Sequence, residues 1–177
     1  IDRNTGTATF VNSLTVPLNG TVFGVDFNPA ADRLRIISDT GQNLRHNVNA
    51  GGVTLNDGTL NYMGMTATGV TGAAYTNNDL DAGTGTTLYD IDSNLDLLVI
   101  QNPPNDGTLN IVGALGYDTT SRVGFDIYTT LRGGAGVNNE GFASLTSASG
   151  TSNFVSVSLS TGSVVSRGAI GSAFPVI

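Results

Sequence analysis

Two short sequence landmarks recur along the chain with a period near fifty residues. The first begins with glycine and carries apolar and aromatic residues, and its glycines Gly24, Gly72 and Gly124 are 48 and 52 residues apart. The second is a polar residue followed by glycine, with steps of 52, 49 and 55 residues, and it occurs at Gly6, Gly58, Gly107 and Gly162. Two landmarks that keep a constant phase indicate a repeat architecture.

The residues between the landmarks predict short β-strands. Polar-Gly pairs between apolar runs are hairpin signals, because glycine tolerates the positive φ that tight hairpin turns require. The run 155–159 reads Val-Ser-Val-Ser-Leu, which is the alternation of a strand with one buried face. About four strands in each repeat match one blade of a β-propeller. A β-sandwich is the alternative all-β fold, and the constant phase of the repeat favours the propeller-like one.

The repeat divides one all-β domain, residues 1–177, into unequal parts. We expect a partial repeat at 1–18 that ends in an outgoing strand at 7–11, and a tail at 172–177. Three repeats of four strands are expected between them, at about 22–62, 70–115 and 122–171. A hydrophobic content of 39% is enough for a packed core, and no stretch has the period of an amphipathic helix, so almost no helix is expected.

Composition excludes several classes of partner. The net charge is −7, lysine is absent, and the seven arginines are spread along the chain, whereas a nucleic-acid partner needs a clustered basic face. Cysteine is absent, so no disulfide and no thiolate metal site can form. No run approaches the roughly eighteen apolar residues of a membrane span. An acidic, lysine-free β-repeat rich in Thr, Gly, Asn and Ser is typical of secreted bacterial surface proteins, so we expect an extracellular or cell-surface location.

Four strings of the sequence resemble a known family. They are GVDFNPAADRLR at 24–35, SDTGQNLR at 38–45, AAYTNN at 73–78 and LYDIDSNLD at 88–96. They are similar to sequences of the secreted bacterial domain of unknown function family numbered 4394. The resemblance covers nearly the whole chain and implies a propeller-like fold and secretion. It also implies that this chain corresponds to the later part of a longer sequence, and it brings no catalytic residues.

One acidic alternation resembles the start of a calcium-binding loop. It consists of Asp90, Asp92, Asn94 and Asp96. Oxygen ligands at alternate positions are what a calcium loop supplies, but Leu95 stands where the loop needs glycine and Gln101 where it needs glutamate. Two strands around a turn at 93–94 explain the pattern better. We therefore expect no cofactor, with calcium at these four residues as the alternative.

The sequence contains no recognisable catalytic group, and we expect that the protein is not an enzyme. His46 is the only histidine, no nucleophile motif accompanies it, and a hydrogen-bonded strand residue is the favoured interpretation. Asp26 and Asp126 recur at the same repeat position and could be paired carboxylates acting on a glycan. Recurring Asp residues are more typical of structural hydrogen-bond acceptors.

The number of repeats suggests how the chain functions. Three repeats and one extra strand do not make a ring, because propellers have roughly four to eight blades. We therefore expect a non-enzymatic structural or interaction module that forms a homo-oligomer or filament through open β-edges or strand exchange. The residues expected to take part are Phe10, Val11, Phe174, Pro175, Val176 and Ile177. The alternative is a domain that binds a glycan or another ligand through the loops 77–85 and 133–139.

Overall fold

The computed structural model describes residues 1–79, 81 and 83–171, which form fourteen β-strands and no helix. Sheet 1 consists of β1 (Phe23–Asn28), β2 (Arg33–Ser38), β3 (Asn43–His46) and β4 (Thr54–Asn56). A small hairpin follows, formed by β5 (Asn61–Tyr62) and β6 (Met65–Thr66). Sheet 2 consists of β7 (Val70–Tyr75), β8 (Leu88–Asp92), β9 (Leu97–Gln101) and β10 (Leu109–Ala114). Sheet 3 consists of β11 (Val123–Arg132), β12 (Ala135–Thr146), β13 (Ser152–Val157) and β14 (Val164–Ala169).

Each of the three large sheets is an antiparallel meander, in which every strand pairs with the next strand of the sequence. The expectation of an all-β chain without helix is therefore confirmed for the described residues. A meander needs only short hairpin connections, and the polar and glycine-rich composition of the chain supplies them.

The first strands of the three sheets lie side by side, β1 next to β7 and β7 next to β11. A Cβ atom added to Gly24 would lie 2.9 Å from the backbone nitrogen of Ala73. A Cβ atom added to Gly72 would lie 3.0 Å from Cγ1 of Val123. At Gly24 and Gly72, the first sequence landmark therefore marks the points where one sheet approaches the next more closely than a side chain would allow.

Two hydrophobic cores fill the spaces between neighbouring sheets. The core between sheets 1 and 2 includes Ile37, Leu60, Val70, Ala73 and Val99. The core between sheets 2 and 3 includes Ile91, Leu98, Leu145, Val155 and Val157. Each core belongs to a pair of sheets, so a single sheet cannot bury its apolar side chains by itself.

The second landmark forms hairpin turns in sheets 2 and 3, whereas in sheet 1 it forms a close contact between two backbone segments. Gly107 and Gly162 precede the fourth strands of their sheets, with φ of +69° and +81°. The hairpin expected at residues 57–58 is wrong, because Gly58 follows the fourth strand of sheet 1. A Cβ atom at Gly58 would lie 2.6 Å from the backbone oxygen of Asp106, so this glycine allows two backbones to approach.

The N-terminal region contains the expected turn but not the expected strand. Gly6 donates a backbone hydrogen bond to Asp2, while residues 7–11 belong to no strand. Phe10 and Val11 are 78% and 65% exposed. The other residues expected to take part in assembly, 174–177, lie outside the described part of the chain.

Replacement of Gly24 by alanine is expected to destabilise the fold. The added methyl group would lie within 3.0 Å of backbone atoms of β7, which cannot move without shifting the sheet. We expect the free energy of unfolding in urea to fall by about 1–3 kcal/mol. Gly85→Ala is the matched control, because a Cβ atom there meets nothing within 4 Å. Equal unfolding midpoints for the two variants would contradict the close approach of β1 and β7.

Candidate functional site

Three cavities meet at Tyr75, the last residue of β7, near the end of β1 and the middle of β11. The polar cavity, of about 330 Å³, is lined by Asn28, Tyr75, Thr86, Thr87, Leu88, Ile100, Gln101, Asn102 and Pro104. The arginine cavity, of about 130 Å³, is lined by Asn28, Ala31, Arg33, Arg35, Arg45, Tyr75, Pro104 and Asn105. The acidic cavity, of about 470 Å³, is lined by Asp26, Phe27, Pro29, Asp32, Tyr75, Asn78, Asp79, Asp126 and Ile127. No other described residue borders all three of these cavities.

The polar cavity has amide and hydroxyl groups on an apolar wall. Gln101 is 1% exposed, and its amide nitrogen donates to the backbone oxygen of Pro104. Its side-chain oxygen has no hydrogen-bond partner among the described residues. Thr86 and Thr87 reach the cavity from the loop that joins β7 to β8. The cavity can thus offer several hydrogen bonds to a small polar ligand, and its volume is at the lower end of the range for small-molecule sites.

The arginine cavity contains three guanidinium groups and one neutralising carboxylate. Arg35 is 2% exposed, and its Nη1 lies 2.7 Å from Oδ2 of Asp57. Arg45 donates to both oxygens of the same carboxylate, at 2.6 and 2.9 Å, and this hydrogen bonding raises the pKa of Arg45. Within the described part of the chain, Arg33 donates only to the backbone oxygens of residues 31 and 32. Because one carboxylate serves two arginines, the side chains around this cavity carry excess positive charge.

The acidic cavity also borders Tyr75, and its carboxylates connect neighbouring sheets. Asp26 in sheet 1 accepts a 2.6 Å hydrogen bond from the backbone nitrogen of Tyr75 in sheet 2. Asp79 accepts one of 2.8 Å from the backbone nitrogen of Gly136 in sheet 3. Burial raises the pKa of Asp26, and the nearby charge of Asp126 raises it further. These are bonds of structural acceptors, and they are made to the next sheet along the chain.

The four residues of the acidic alternation have different surroundings. Asp92 accepts from the hydroxyl of Tyr62, the amide of Asn94 donates to a backbone oxygen in the turn before β7, and Asp96 accepts from a backbone nitrogen after β10. Asp90 is fully buried in sheet 2, with neither carboxyl oxygen hydrogen-bonded within the described chain. No group of three or more His, Cys, Asp or Glu in the described residues is placed to hold a metal ion.

His46 takes part in the packing of the N-terminal segment. It is 2% exposed, with Nε2 at 2.7 Å from the amide oxygen of Asn12 and Nδ1 at 2.9 Å from the hydroxyl of Thr54. Both ring nitrogens are therefore occupied by structural hydrogen bonds.

The sequence interpretation missed the arginine cavity. A signal for it was present, because Arg33 and Arg35 alternate on one strand and therefore share a face of the sheet. Arg45 is the cross-strand partner of Arg35 on β3. What the sequence could not show is that Asp57 forms salt bridges with two of these three arginines.

These features define the class of the protein as an all-β chain built from consecutive four-stranded antiparallel meanders. The family model described as domain of unknown function (DUF4394) matches residues 1–177, and the chain belongs to that family. No curated protein and no solved structure matches the chain. Within the described residues, no helix is long and apolar enough to cross a membrane.

Replacement of Asp57 by asparagine is expected to be strongly destabilising. The change removes the only carboxylate that forms salt bridges with Arg35 and Arg45 in the described chain, and it leaves a buried guanidinium uncompensated. We expect a loss of about 3–5 kcal/mol in the free energy of unfolding. The control is Asp106→Asn at the corresponding position of the next landmark, where the aspartate is exposed. A similarly small loss for both variants would show that the Asp57 salt bridges contribute little.

Replacement of Asp90 by asparagine is expected to change how stability depends on pH. Burial raises the pKa of Asp90 well above 3.8, so the folded protein keeps a proton that the unfolded chain loses. The stability contribution of Asp90 is therefore fully present below pH 3.8 and is lost as the pH rises through its folded-state pKa.

The asparagine variant has no proton to lose at this position. Its advantage in unfolding free energy over the wild type should grow between pH 4 and pH 8, by roughly 1.4 kcal/mol for each unit of pKa difference. Urea unfolding across this pH range measures the effect, and Asp118→Asn at an exposed loop position is the control. Parallel pH profiles for wild type and Asp90→Asn would contradict the raised pKa.

Proposed function

We propose that this protein is a non-enzymatic extracellular interaction module that assembles with copies of itself. In this proposal its three large sheets are successive blades of a propeller-type arrangement. The adjacency of β1, β7 and β11 and the two inter-sheet cores support the blade assignment, because propeller blades also contact their neighbours through the inner strands.

The observation that carries the proposal is an apolar face of sheet 3 that the other described residues leave exposed, here called uncovered. A row is here a set of cross-strand partners on successive strands of one sheet. In sheet 2, the row that starts at Gly72 continues through Ile91 to Leu98, which is completely buried against sheet 3. The corresponding row of sheet 3 starts at Gly124 and continues through β12 to Phe154, which is 44% exposed.

Neighbouring apolar side chains enlarge this uncovered face. Phe154 stacks on Phe142 with ring centroids 5.6 Å apart, and Val165 in the next row is 60% exposed. Contiguous exposed apolar patches of this kind mark interaction sites.

Sheet 1 also has an uncovered apolar face, which is the face that does not carry the landmark glycine. Phe27 is 39% exposed, whereas the residues at the same distance from the landmark glycine in the other two sheets, Tyr75 and Ile127, are 3% and 1% exposed. Val25 on the same face is 50% exposed. In sheets 2 and 3, the equivalent face is covered by the preceding sheet. The preceding sheet makes this contact with the face that carries its landmark glycine. The outer face of sheet 3 is thus suited to the outer face of sheet 1 in a second copy.

Such a contact is heterologous, because two different surfaces meet. A heterologous contact produces a closed ring or an open filament, depending on the rotation between copies. The exposed residues Phe10 and Val11 and the tail 174–177 are further contributors in this proposal. The acidic, lysine-free composition supports the extracellular location.

Two charged substitutions test the assembly. Val25→Arg disables the face of sheet 1, and Phe154→Glu disables the face of sheet 3. We expect the wild type to sediment as an oligomer and each variant alone to sediment as a monomer. An equimolar mixture of the two variants should form dimers, because each variant retains the face that the other has lost.

Ile111→Arg is the control, since Ile111 is an exposed strand residue outside both faces. A monomeric wild type at high micromolar concentration would contradict the proposal. A mixture of the variants that stays monomeric would show that the two faces do not bind each other.

A second function, ligand binding, is favoured by the cavities around Tyr75. They combine buried polar groups, an aromatic side chain and unbalanced charge within one region. This combination is typical of small-molecule sites and supports a glycan or other polar ligand.

A further inference from the structure

The arginine cavity has a charge opposite to that of the whole chain. The protein has a net charge of −7 and only seven basic residues, yet three of its arginines line one cavity of about 130 Å³. Asp57 forms salt bridges with two of them. The guanidinium of Arg33 meets only backbone oxygens within the described chain, through one of its nitrogens, so its other N–H donors are available to a ligand.

The arginine cavity and the polar cavity adjoin each other between sheets 1 and 2, and we refer to the pair as the cleft. They share Asn28, Tyr75 and Pro104 as lining residues, so the polar groups of both cavities lie close to one another. The polar part supplies hydroxyl and amide groups from Thr86 and Thr87 and from Asn28. A guanidinium recognises a carboxylate through two parallel hydrogen bonds, and hydroxyl-rich molecules need several neutral polar partners.

We propose that this cleft binds an acidic carbohydrate of the hexuronate type. The carboxylate lies against Arg33, and the sugar hydroxyls bind the side chains of the polar cavity. The acidic cavity, which also borders Tyr75, repels the carboxylate and so fixes the orientation of the ligand. This inference rests on the ligand-binding function proposed above and not on the assembly proposal, because none of the residues named in the two uncovered faces lines the arginine or the polar cavity.

Ligand titrations followed by NMR chemical shifts test the inference, with glucuronate, glucose and acetate as probes. Glucuronate should bind the wild type about tenfold or more tightly than either glucose or acetate, because only glucuronate uses both parts of the cleft. Arg33→Gln should lose the preference for glucuronate over glucose while keeping the wild-type melting temperature. Arg167→Gln, an exposed arginine on sheet 3, should keep the preference.

Three results would overturn the inference. Equal affinity for acetate and glucuronate would show a general anion site without sugar recognition. Equal affinity for glucose and glucuronate would remove the role of the carboxylate. An unchanged preference in the Arg33→Gln variant would place the ligand elsewhere. A glucuronate oligosaccharide added as a fourth probe separates recognition of a chain end from recognition of the free sugar.

Discussion

The architecture depends on close contact between the backbones of successive first strands. At Gly24 and Gly72 the next sheet lies so near that even a methyl group would overlap its atoms. Because the first strands pack closely, side chains on the later strands of neighbouring sheets also meet, and they form the two hydrophobic cores. The hydrogen bond from Tyr75 to Asp26 adds a polar connection to this contact, across the same pair of strands. The absence of a side chain at these two glycines thus allows many other side chains to be buried between the sheets.

The cavities around Tyr75 form where the ends of β1 and β7 meet the middle of β11. Their lining is mostly polar or charged and comes from strands and loops of the three large sheets. Tyr75 lies at that point, with arginines lining one of its cavities and carboxylates lining another. The separation of charge across one aromatic side chain is therefore a product of how the sheets meet.

The repeat and the strand alternation were readable in the sequence, because both are local patterns. The number of strands per repeat and the absence of helix in the described residues followed from them. The role of Gly58 was not predictable, since a polar-Gly pair looks the same whether it turns a hairpin or admits another backbone. Likewise, Asp90 appeared as one member of a metal-loop pattern, and only the packing of sheet 2 shows it as a buried carboxyl with no hydrogen bond to the described residues. Arg35 and Asp57 are 22 residues apart, and no local pattern indicates that they meet.

The meander topology has a consequence for how such chains can vary in evolution. Every large sheet is made from one continuous stretch of sequence, and its cores are shared only with the sheets immediately before and after it. Duplication or deletion of one such stretch changes the molecule by a whole structural unit and leaves the remaining hydrogen-bond ladders intact. Related genes can therefore differ in length by multiples of about fifty codons while keeping the same local architecture.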